Sequence, residues 1–362
     1  MKARLALVGA LVVLLVGGAL RGREIPEHRE TLYVFGTLVE VVIRGEPEER
    51  ARAAVSEVGL HFQRVHEDWH AWRPGALGTL NHAISEGRVH RVDPGLLDVL
   101  RRGQRLACES GGLFEPAIGA LVGLWGFHAD TAPEGAPPSE TEIAGLLVKR
   151  PRMADLHLAH ESVSSHNPAV QLDLGGFAKG AALDQAADLL AARGIENAVL
   201  NAGGDVNVIG RHGARAWRVA IRDPFGWEAV AALALQPGEV LYTSGNYERY
   251  FEHAGQRFAH ILDPRTGRPV GEIVSASVLA REGALADAAA TALAVAGPEH
   301  WVETAAAMGI EAAMIIGQDG QMQATPAMAA RLEPVSGRGQ VAARVVDLPA
   351  TGAVPSHDCS AF

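Results

Sequence analysis

The sequence is poor in cysteine and in lysine. Its two cysteines, Cys108 and Cys359, are too few for a disulfide framework or for a thiolate metal site. Free cysteines are often simply buried, so we expect one buried thiol and one incidental thiol near the end of the sequence. Only three of the 32 basic residues are lysines, Lys2, Lys149 and Lys179. A lysine inside a distinctive motif is therefore of interest.

An excess of positive charge is also lacking. The 32 basic residues face 42 acidic ones, which gives the 362 residues a net charge of −10. Because a nucleic-acid-binding protein needs a basic surface to neutralise phosphates, we expect no nucleic-acid partner. A composition of 48% hydrophobic and 20% charged residues is that of a globular protein and excludes wholesale disorder. The length predicts two domains, or one large domain with two lobes.

Long apolar runs are absent except at the N-terminus. Residues 1–23 place basic residues before and after an unbroken apolar stretch, 5–20. This pattern is typical of a secretory signal and is shorter than the ~20 residues of a comfortable membrane span. No cysteine follows the stretch for lipid attachment. We therefore expect an exported protein whose residues 1–23 are a signal peptide or an N-terminal membrane anchor.

The remaining segments predict a mixture of helices and strands. Residues 31–45 alternate and are β-branched, which predicts a strand pair. Helical periodicity follows from Pro47, and Asp93-Pro94 opens a second helix. No segment requires a long parallel βαβ array, so the expected fold class is α+β or a loose α/β. Residues 332–362 lack sustained periodicity and predict a disordered tail.

Glycines cluster in two places. Residues 173–180, DLGGFAKG, lie between a predicted short strand, 170–174, and a helix. Backbone N–H groups at such a helix start can bind an anion, and Lys179 would add a positive charge, although a tight structural turn is an equally good interpretation. Residues 201–205, NAGGD, predict the turn of a hairpin.

Two further segments offer groups for chemistry. His260 ends a strand-like run before the turn at residues 263–267, and a histidine there is a candidate for proton transfer. Asp287 and Thr291 stand four residues apart in a predicted helix, so they share one face. Their oxygens suit Mg²⁺, which prefers hard oxygen ligands. Each signal alone also has a purely structural explanation.

Residues 66–70, HEDWH, fit the HExxH pattern of zinc peptidases. Arg73-Pro74 ends the predicted helix about one turn later, and Arg73 stands where the extended pattern has glycine. We keep a zinc peptidase as a minor alternative.

In their residues and in their order along the chain, eight segments together resemble the ApbE family of FAD:protein FMN transferases. They run from about Phe35 to Gly297 and read FGTLVEVVI, GALGTLN, FEPAIGALVGLWGF, LDLGGFAKGAALD, NAGGDV, TSGNYERYF, HILDPRTGRPV and ADAAATALAVAG. The resemblance implies an α+β, two-lobed, T-fold-like flavin transferase domain over residues 30–331, with the active site in a cleft between the lobes.

The resemblance also implies a reaction and a set of roles. The family moves FMN from FAD to a Thr or Ser hydroxyl of a redox subunit at the membrane and releases AMP, with help from Mg²⁺. Such a protein would work at the periplasmic face of the inner membrane. His260 corresponds to a residue that helps to activate the acceptor hydroxyl. Metal ligands would be Ala178 (through its carbonyl), Asp287 and Thr291. FAD-binding residues would be Gly36, Thr37, Asn81, Asp173, Lys179, Gly203, Gly204, Asp205, Ser244 and His260.

The sequence departs from the family pattern at three points. Ala117 and Ala120 replace Thr and Pro, residues 70–72 replace a Ser-Thr or Ser-x-Tyr segment, and the lipid-attachment cysteine is missing. The first two bear on the flavin pocket. An exported FAD pyrophosphatase, or a protein that only binds FAD, is therefore an alternative to the transferase.

Overall fold

Helices and strands alternate along the chain in the computed structural model, which describes residues 25–129, 131, 133–335, 341–350 and 359. The predicted signal or anchor over residues 1–23 lies outside the described residues, so it stays a prediction. Among the described residues, no helix has the length and apolarity needed to cross a membrane. The helices of this part of the chain are α1 (Glu48–Asp68), α2 (Ala76–Ser85), α3 (Pro94–Glu109), α4 (Gly119–Leu124), α5 (Glu140–Leu147), α6 (Ala178–Ala192), α7 (Gly283–Ala296), α8 (Trp301–Ala307) and α9 (Pro326–Ala329).

Within the described ranges, the strands form one large sheet and four small ones. In chain order they are β1 (Glu27–Val34), β2 (Thr37–Arg44), β3 (His90–Arg91), β4 (Leu156–Leu158), β5 (Ser162–Ser165), β6 (Ala198–Ala202), β7 (Asp205–Ile209), β8 (Trp217–Arg222), β9 (Ala229–Leu235), β10 (Val240–Gly245), β11 (Tyr250–His253), β12 (Gln256–Ala259), β13 (Leu262–Asp263), β14 (Arg268–Pro269), β15 (Ile273–Ala280), β16 (Ala312–Gly317), β17 (Met322–Ala324) and β18 (Ala343–Val345).

The large sheet has nine strands in the order β1-β2-β6-β7-β10-β15-β16-β17-β18. Its neighbours are antiparallel except for β17 and β18, which are parallel. One face packs against α1, α6 and α7 in the main hydrophobic core. The other face packs against the β8–β9 hairpin and Met328 of α9 in a second core. The α+β class is therefore confirmed.

Local sequence signals account for most of these boundaries. The strand pair predicted over residues 31–45 is the β1–β2 hairpin, and NAGGD is the β6–β7 turn. Asp93 begins α3, because its carboxylate accepts hydrogen bonds from the backbone N–H groups of Gly95 and Leu96. The strand predicted over residues 170–174 was wrong. Gln171 makes an isolated bridge to Ile118, because the backbone it pairs with, residues 116–118, turns into α4 at Gly119 and leaves no room for a ladder.

The C-terminal segment differs from its prediction. Cys108 and Cys359 form a disulfide, with their Cα atoms 5.8 Å apart, so the prediction of two free thiols was wrong. Residues 343–345 form β18 on the edge of the large sheet, and Val346 and Leu348 pack against the main core. The described part of residues 332–362 is therefore ordered. A three-residue strand is too short for periodicity to detect, and a pair 251 residues apart leaves no local signal.

Candidate active site

The site begins where α6 and α7 touch. A Cβ added at Gly180 would lie 2.3 Å from the carbonyl oxygen of Gly283, so only glycine permits this approach. The contact places the N-terminal turn of α6 against the Asp287 side chain of α7. The Gly180 N–H donates a hydrogen bond of 3.0 Å to Asp287 Oδ2. The glycine-rich segment thus brings the start of α6, with its positive dipole end, onto a buried carboxylate.

Oxygen atoms from three elements meet beside Asp287. The Thr291 hydroxyl lies 3.2 Å from the carbonyl oxygen of Asp287 in its own helix and 3.4 Å from that of Gly176. It also lies 3.1 Å from the hydroxyl of Ser244 on β10. The Thr291 hydroxyl thus lies beside the Ser244 hydroxyl and two main-chain carbonyls, while the roles of Asp287, Thr291 and Ser244 in binding metal or FAD stay predictions. Ala178 begins α6 two residues after Gly176, and its carbonyl as a metal ligand stays a prediction.

Lys179 supplies the positive charge of the site. Its ammonium group forms an ion pair with Asp205, which is only 3% exposed. The other oxygen of that carboxylate, Oδ1, accepts a hydrogen bond of 3.1 Å from Thr243 N. Although burial opposes the charged form, the carboxylates of Asp205, Asp287 and Glu248 raise the pKa of Lys179. Lys179 is therefore held as a cation among three acidic groups.

The carboxyl groups outnumber this cation. Burial raises the pKa of Asp287, the nearby carboxylate of Asp205 raises it further, and Lys179 only partly opposes both. Burial and Asp205 also raise the pKa of Glu248. The site thus holds more carboxylate groups than its one lysine can neutralise, and a bound cation would favour their ionised forms.

The donor set fits a hard divalent cation. It offers the Asp287 carboxylate, the Thr291 hydroxyl and the Gly176 carbonyl, all oxygen ligands of the type that Mg²⁺ prefers. Across the described ranges, no three His, Cys, Asp or Glu side chains form a metal-binding cluster. A cation bound here would therefore take hydroxyl, main-chain or substrate oxygens as well as carboxylate.

His260 follows β12 directly, as predicted. Its Nδ1 lies 3.1 Å from the carbonyl oxygen of Arg249. Because a carbonyl can only accept, Nδ1 carries the hydrogen and Nε2 is the basic nitrogen of the neutral ring. Burial, together with the nearby charges of Arg249 and Lys179, lowers the pKa of His260 to about 4. The imidazole is therefore neutral at physiological pH.

Two turns meet at one end of the strands of the large sheet. The β1–β2 turn contains Gly36, and the β6–β7 turn contains Gly203 and Gly204, all three with positive φ. A Cβ added at Gly203 would lie 2.8 Å from the Thr37 hydroxyl oxygen. These four residues therefore lie together, next to Asp205 at the start of β7.

Asn81 and Asp173, which were predicted to bind FAD, make hydrogen bonds within the protein. The Asn81 side chain donates to the carbonyl of Leu172 at 2.9 Å and accepts from its N–H at 2.7 Å. Asp173 accepts from the Trp72 indole N–H and from Gly175 N, both at 2.9 Å. Both side chains thus fix the segment that leads into α6. This structural role differs from the predicted contact with nucleotide, which stays a prediction.

Known proteins share this sequence pattern and fold. The model of the ApbE family matches residues 35–314, which is most of the chain. The chain belongs to the ApbE family. It is 57% identical over 330 residues to the FAD:protein FMN transferase of Rhodobacter capsulatus, covering 91% of this chain and 63% of that protein. It therefore spans less than two thirds of that relative. It is 35% identical over 314 residues to the enzyme of the same name from Treponema pallidum, covering 81% of this chain and 85% of that protein.

Solved structures of the ApbE family have the same architecture. The ApbE protein of Thermotoga maritima superposes with a TM-score of 0.78 at 28% identity, covering 85% of this chain and all of that one. The flavin transferase ApbE of Vibrio cholerae gives a TM-score of 0.75 at 26% identity with the same coverage. The predicted ApbE-like fold is therefore confirmed.

A cavity of about 700 Å³ lies beside Asn81, within the size range of small-molecule pockets. Its lining also includes Glu115, Gln171 and Arg265, but not Lys179, Asp205 or Asp287. Burial raises the pKa of Glu115 to about 7 although it accepts hydrogen bonds from Ala117 N and Met153 N. Ala120, a departure from the family pattern, also lines this cavity.

Sequence reasoning missed two residues of the ApbE site. Glu248 interacts with Lys179 and Asp205, and Trp72 binds Asp173. The position of Glu248, four residues after Ser244 in TSGNYERYF, was the available signal. Trp72 lies in one of the segments that depart from the family pattern, where no signal pointed to Asp173.

The HExxH segment lacks the continuous helix of a zinc peptidase site. His66 and Glu67 lie in α1, but the helix ends at Asp68, before His70. The Nδ1 atom of His70 accepts a hydrogen bond of 3.1 Å from Trp72 N. The rings of His66 and His70 lie 5.7 Å apart, but the continuous helix that the zinc peptidase motif requires ends between them.

Proposed function

We propose that this chain is an FAD:protein FMN transferase. The observation that carries the proposal is the oxygen cluster of Asp287, Thr291 and Gly176 beside Lys179 and the start of α6. This arrangement can hold a cation and a phosphate together. Membership of the ApbE family and the names of its relatives support FAD as the substrate.

The chemistry is a phosphoryl transfer. The hydroxyl oxygen of an acceptor Thr or Ser attacks the phosphorus of the FMN half of FAD. A new P–O ester bond forms while the bond to the bridging oxygen breaks, and AMP leaves with that oxygen. The hydroxyl proton would pass to Nε2 of His260, the basic nitrogen of a neutral ring whose Nδ1–H is bonded to the carbonyl of Arg249. Mg²⁺ would neutralise charge on the phosphates during this step.

Each part of the site then has a task. Asp287 and Thr291, with main-chain carbonyls, would hold the Mg²⁺. Lys179 would pair with a phosphate oxygen. The turns that contain Gly36, Thr37, Gly203 and Gly204 would border the nucleotide, and the cavity beside Asn81 would take one half of FAD.

We further propose that the protein is exported and acts on a redox subunit at the membrane. The composition of residues 1–23 supports export. The disulfide between Cys108 and Cys359 also supports it, because disulfides persist in oxidising compartments such as the bacterial periplasm. Whether residues 1–23 anchor the protein or are removed would be read from the mass of the mature chain.

The test is to incubate the purified protein with FAD, Mg²⁺ and candidate redox subunits encoded beside its gene. In-gel flavin fluorescence would report a covalent flavin, and chromatography would report AMP. Asp287→Asn is the matched control, since it removes a ligand charge without changing side-chain size. AMP that appears only with an acceptor supports the transferase.

The alternatives give different results in the same assay. AMP formed equally without acceptor would indicate an FAD pyrophosphatase. Tight FAD binding without any AMP would indicate a binding protein. Either outcome would contradict the transferase proposal.

A further inference from the structure

The helix that carries Asp287 and Thr291 is capped by a residue of another helix. Glu282, at the N-cap position of α7, makes no side-chain capping bond. Instead the carboxylate of Asp184, in α6, accepts hydrogen bonds from the first two N–H groups of α7. The distances are 2.7 Å to Gly283 N and 3.0 Å to Ala284 N. A negative charge at this position also complements the helix dipole.

Asp184 is itself fixed by a chain of buried polar groups. Asn207 on β7 donates from Nδ2 to Asp184 at 2.9 Å, and the Oδ1 atom of Asn207 accepts from the Tyr242 hydroxyl at 2.7 Å. Tyr242 lies on β10, two residues before Ser244, and is fully buried. This series of hydrogen bonds therefore links α6, β7, β10 and α7.

These four elements are the ones that carry the site. Lys179 is on α6, Asp205 on β7, Ser244 on β10, and Asp287 with Thr291 on α7. Asp287 follows Gly283 by four residues, about one helical turn. A shift of the first turn of α7 would therefore displace the Asp287 carboxylate and the Thr291 hydroxyl together.

We propose that Asp184 is a positioning residue that sets the place of Asp287 and Thr291 for a divalent cation. This inference rests on the proposed function, because it assumes that these two residues bind the cation. Asp184 does so through α7 and does not need to touch cation or substrate. Three N–H donors converge on it, and only an acceptor-only carboxylate satisfies all three.

The test replaces Asp184 by Asn, which keeps the size of the side chain but turns one acceptor oxygen into a donor. Mn²⁺ serves as the probe, with binding to the protein measured by electron paramagnetic resonance in the absence of FAD. Residues that orient metal ligands typically change metal affinity by ~10–100-fold, so we expect the Mn²⁺ dissociation constant of Asp184→Asn to rise by that factor. FMN transfer should recover at high Mn²⁺, since the ligands themselves remain.

Asp188→Asn is the matched control. Asp188 lies one turn further along α6, is exposed, and lines the same cleft as Asp184. Its substitution should leave Mn²⁺ binding unchanged. Tyr242→Phe is a milder second variant, which removes only the hydroxyl that holds Asn207, and should weaken Mn²⁺ binding in the same direction.

The outcomes separate this inference from the proposed function. A parent protein that neither binds Mn²⁺ nor transfers FMN would overturn the proposed function. A parent that does both, with an Asp184→Asn variant that melts earlier but binds Mn²⁺ with parental affinity, would show that Asp184 only stabilises the fold. Weaker Mn²⁺ binding in folded Asp184→Asn and Tyr242→Phe would support positioning.

Discussion

Removing the positive charge of Lys179 tests how the site is held together. The sequence suggests that this charge serves a phosphate, so Lys179→Met would leave stability unchanged. The structure predicts a different result, because Lys179 forms an ion pair with the buried Asp205 and faces Asp287 and Glu248. Methionine keeps much of the apolar stem of the lysine and removes only the cation.

The loss of stability in Lys179→Met follows from the buried carboxylates that no longer have a cation beside them. Breaking a buried ion pair by removing one partner costs about 3–5 kcal/mol. Because the Lys179 side chain is 28% exposed, we take the lower end, about 3 kcal/mol. An unfolding entropy of about 2.1 cal/mol/K per residue over roughly 300 residues converts this to a fall of about 5 °C in Tm.

The assay is thermal unfolding by calorimetry between pH 5 and pH 8. Because the pKa values of Asp287 and Glu248 are raised, these groups take up protons as the pH falls. The loss in Tm should therefore be largest at pH 8 and smaller at pH 5. Double substitution of Lys179 by Met and Asp205 by Asn is the control. It removes both charges, while Oδ1 of the asparagine can still accept from Thr243 N.

We expect the double variant to regain most of the lost Tm but none of the FMN transfer. A single Lys179→Met variant within 1 °C of the parent would refute the reasoning, since the ion pair would then contribute nothing net. So would a double variant that is less stable than the single one.

Other groups of the site give further predictions. The pKa of His260 is lowered to about 4, so at a Mg²⁺ concentration that keeps Asp287 ionised, transfer should be flat from pH 8 to about pH 5. A half-loss near pH 6.5 that more Mg²⁺ does not reverse would contradict this environment. His260→Asn should lower kcat ~10²–10⁴-fold with FAD affinity kept. Asp287→Asn should abolish Mn²⁺ binding, yet leave Tm at pH 8 equal or higher, because it removes a buried carboxylate; a lower Tm would count against that. Cys108→Ser, which removes the disulfide, should lower the free energy of unfolding by about 2–5 kcal/mol. The Tm of this variant should no longer change when a reductant is added. His66→Ala should leave the rate of transfer within several-fold of the parent. A zinc ion that is stoichiometric in the parent and absent from this variant would instead support the zinc peptidase alternative.

Signals that act within a few residues could be read from the sequence. The paired glycines between β6 and β7 adopt the positive φ values that tight hairpins need. Asp93 and Pro94 start α3 because the one caps the helix and the other suits its first turn. The spacing of Asp287 and Thr291 places them on one helix face. Such features depend on chain geometry alone, so no tertiary information is required.

Signals that depend on partners far along the chain could not be read in this way. Asn81 looks like a nucleotide ligand in sequence, but both ends of its amide bind the backbone of Leu172. The two cysteines lie 251 residues apart, so their pairing depends entirely on the tertiary fold. A side chain that completes its hydrogen bonds within the protein is indistinguishable, in one sequence, from a side chain that awaits a ligand.

The glycine-rich segment shows why a local interpretation was incomplete. Gly180 reads as a residue that lets a phosphate approach the start of α6, yet its missing side chain is needed for contact with Gly283. That contact lets the N–H of Gly180 bind Asp287, so part of the anion-binding capacity of the helix start is already used by a carboxylate of the protein. A phosphate can bind beside this carboxylate only if its charge is offset. Lys179 already pairs with Asp205, so under the proposed function much of this offset would come from a cation at Asp287 and Thr291. If that cation is present, removing it should weaken phosphate binding as well as transfer, because the packing of the two helices has already placed the Asp287 carboxylate at the start of α6.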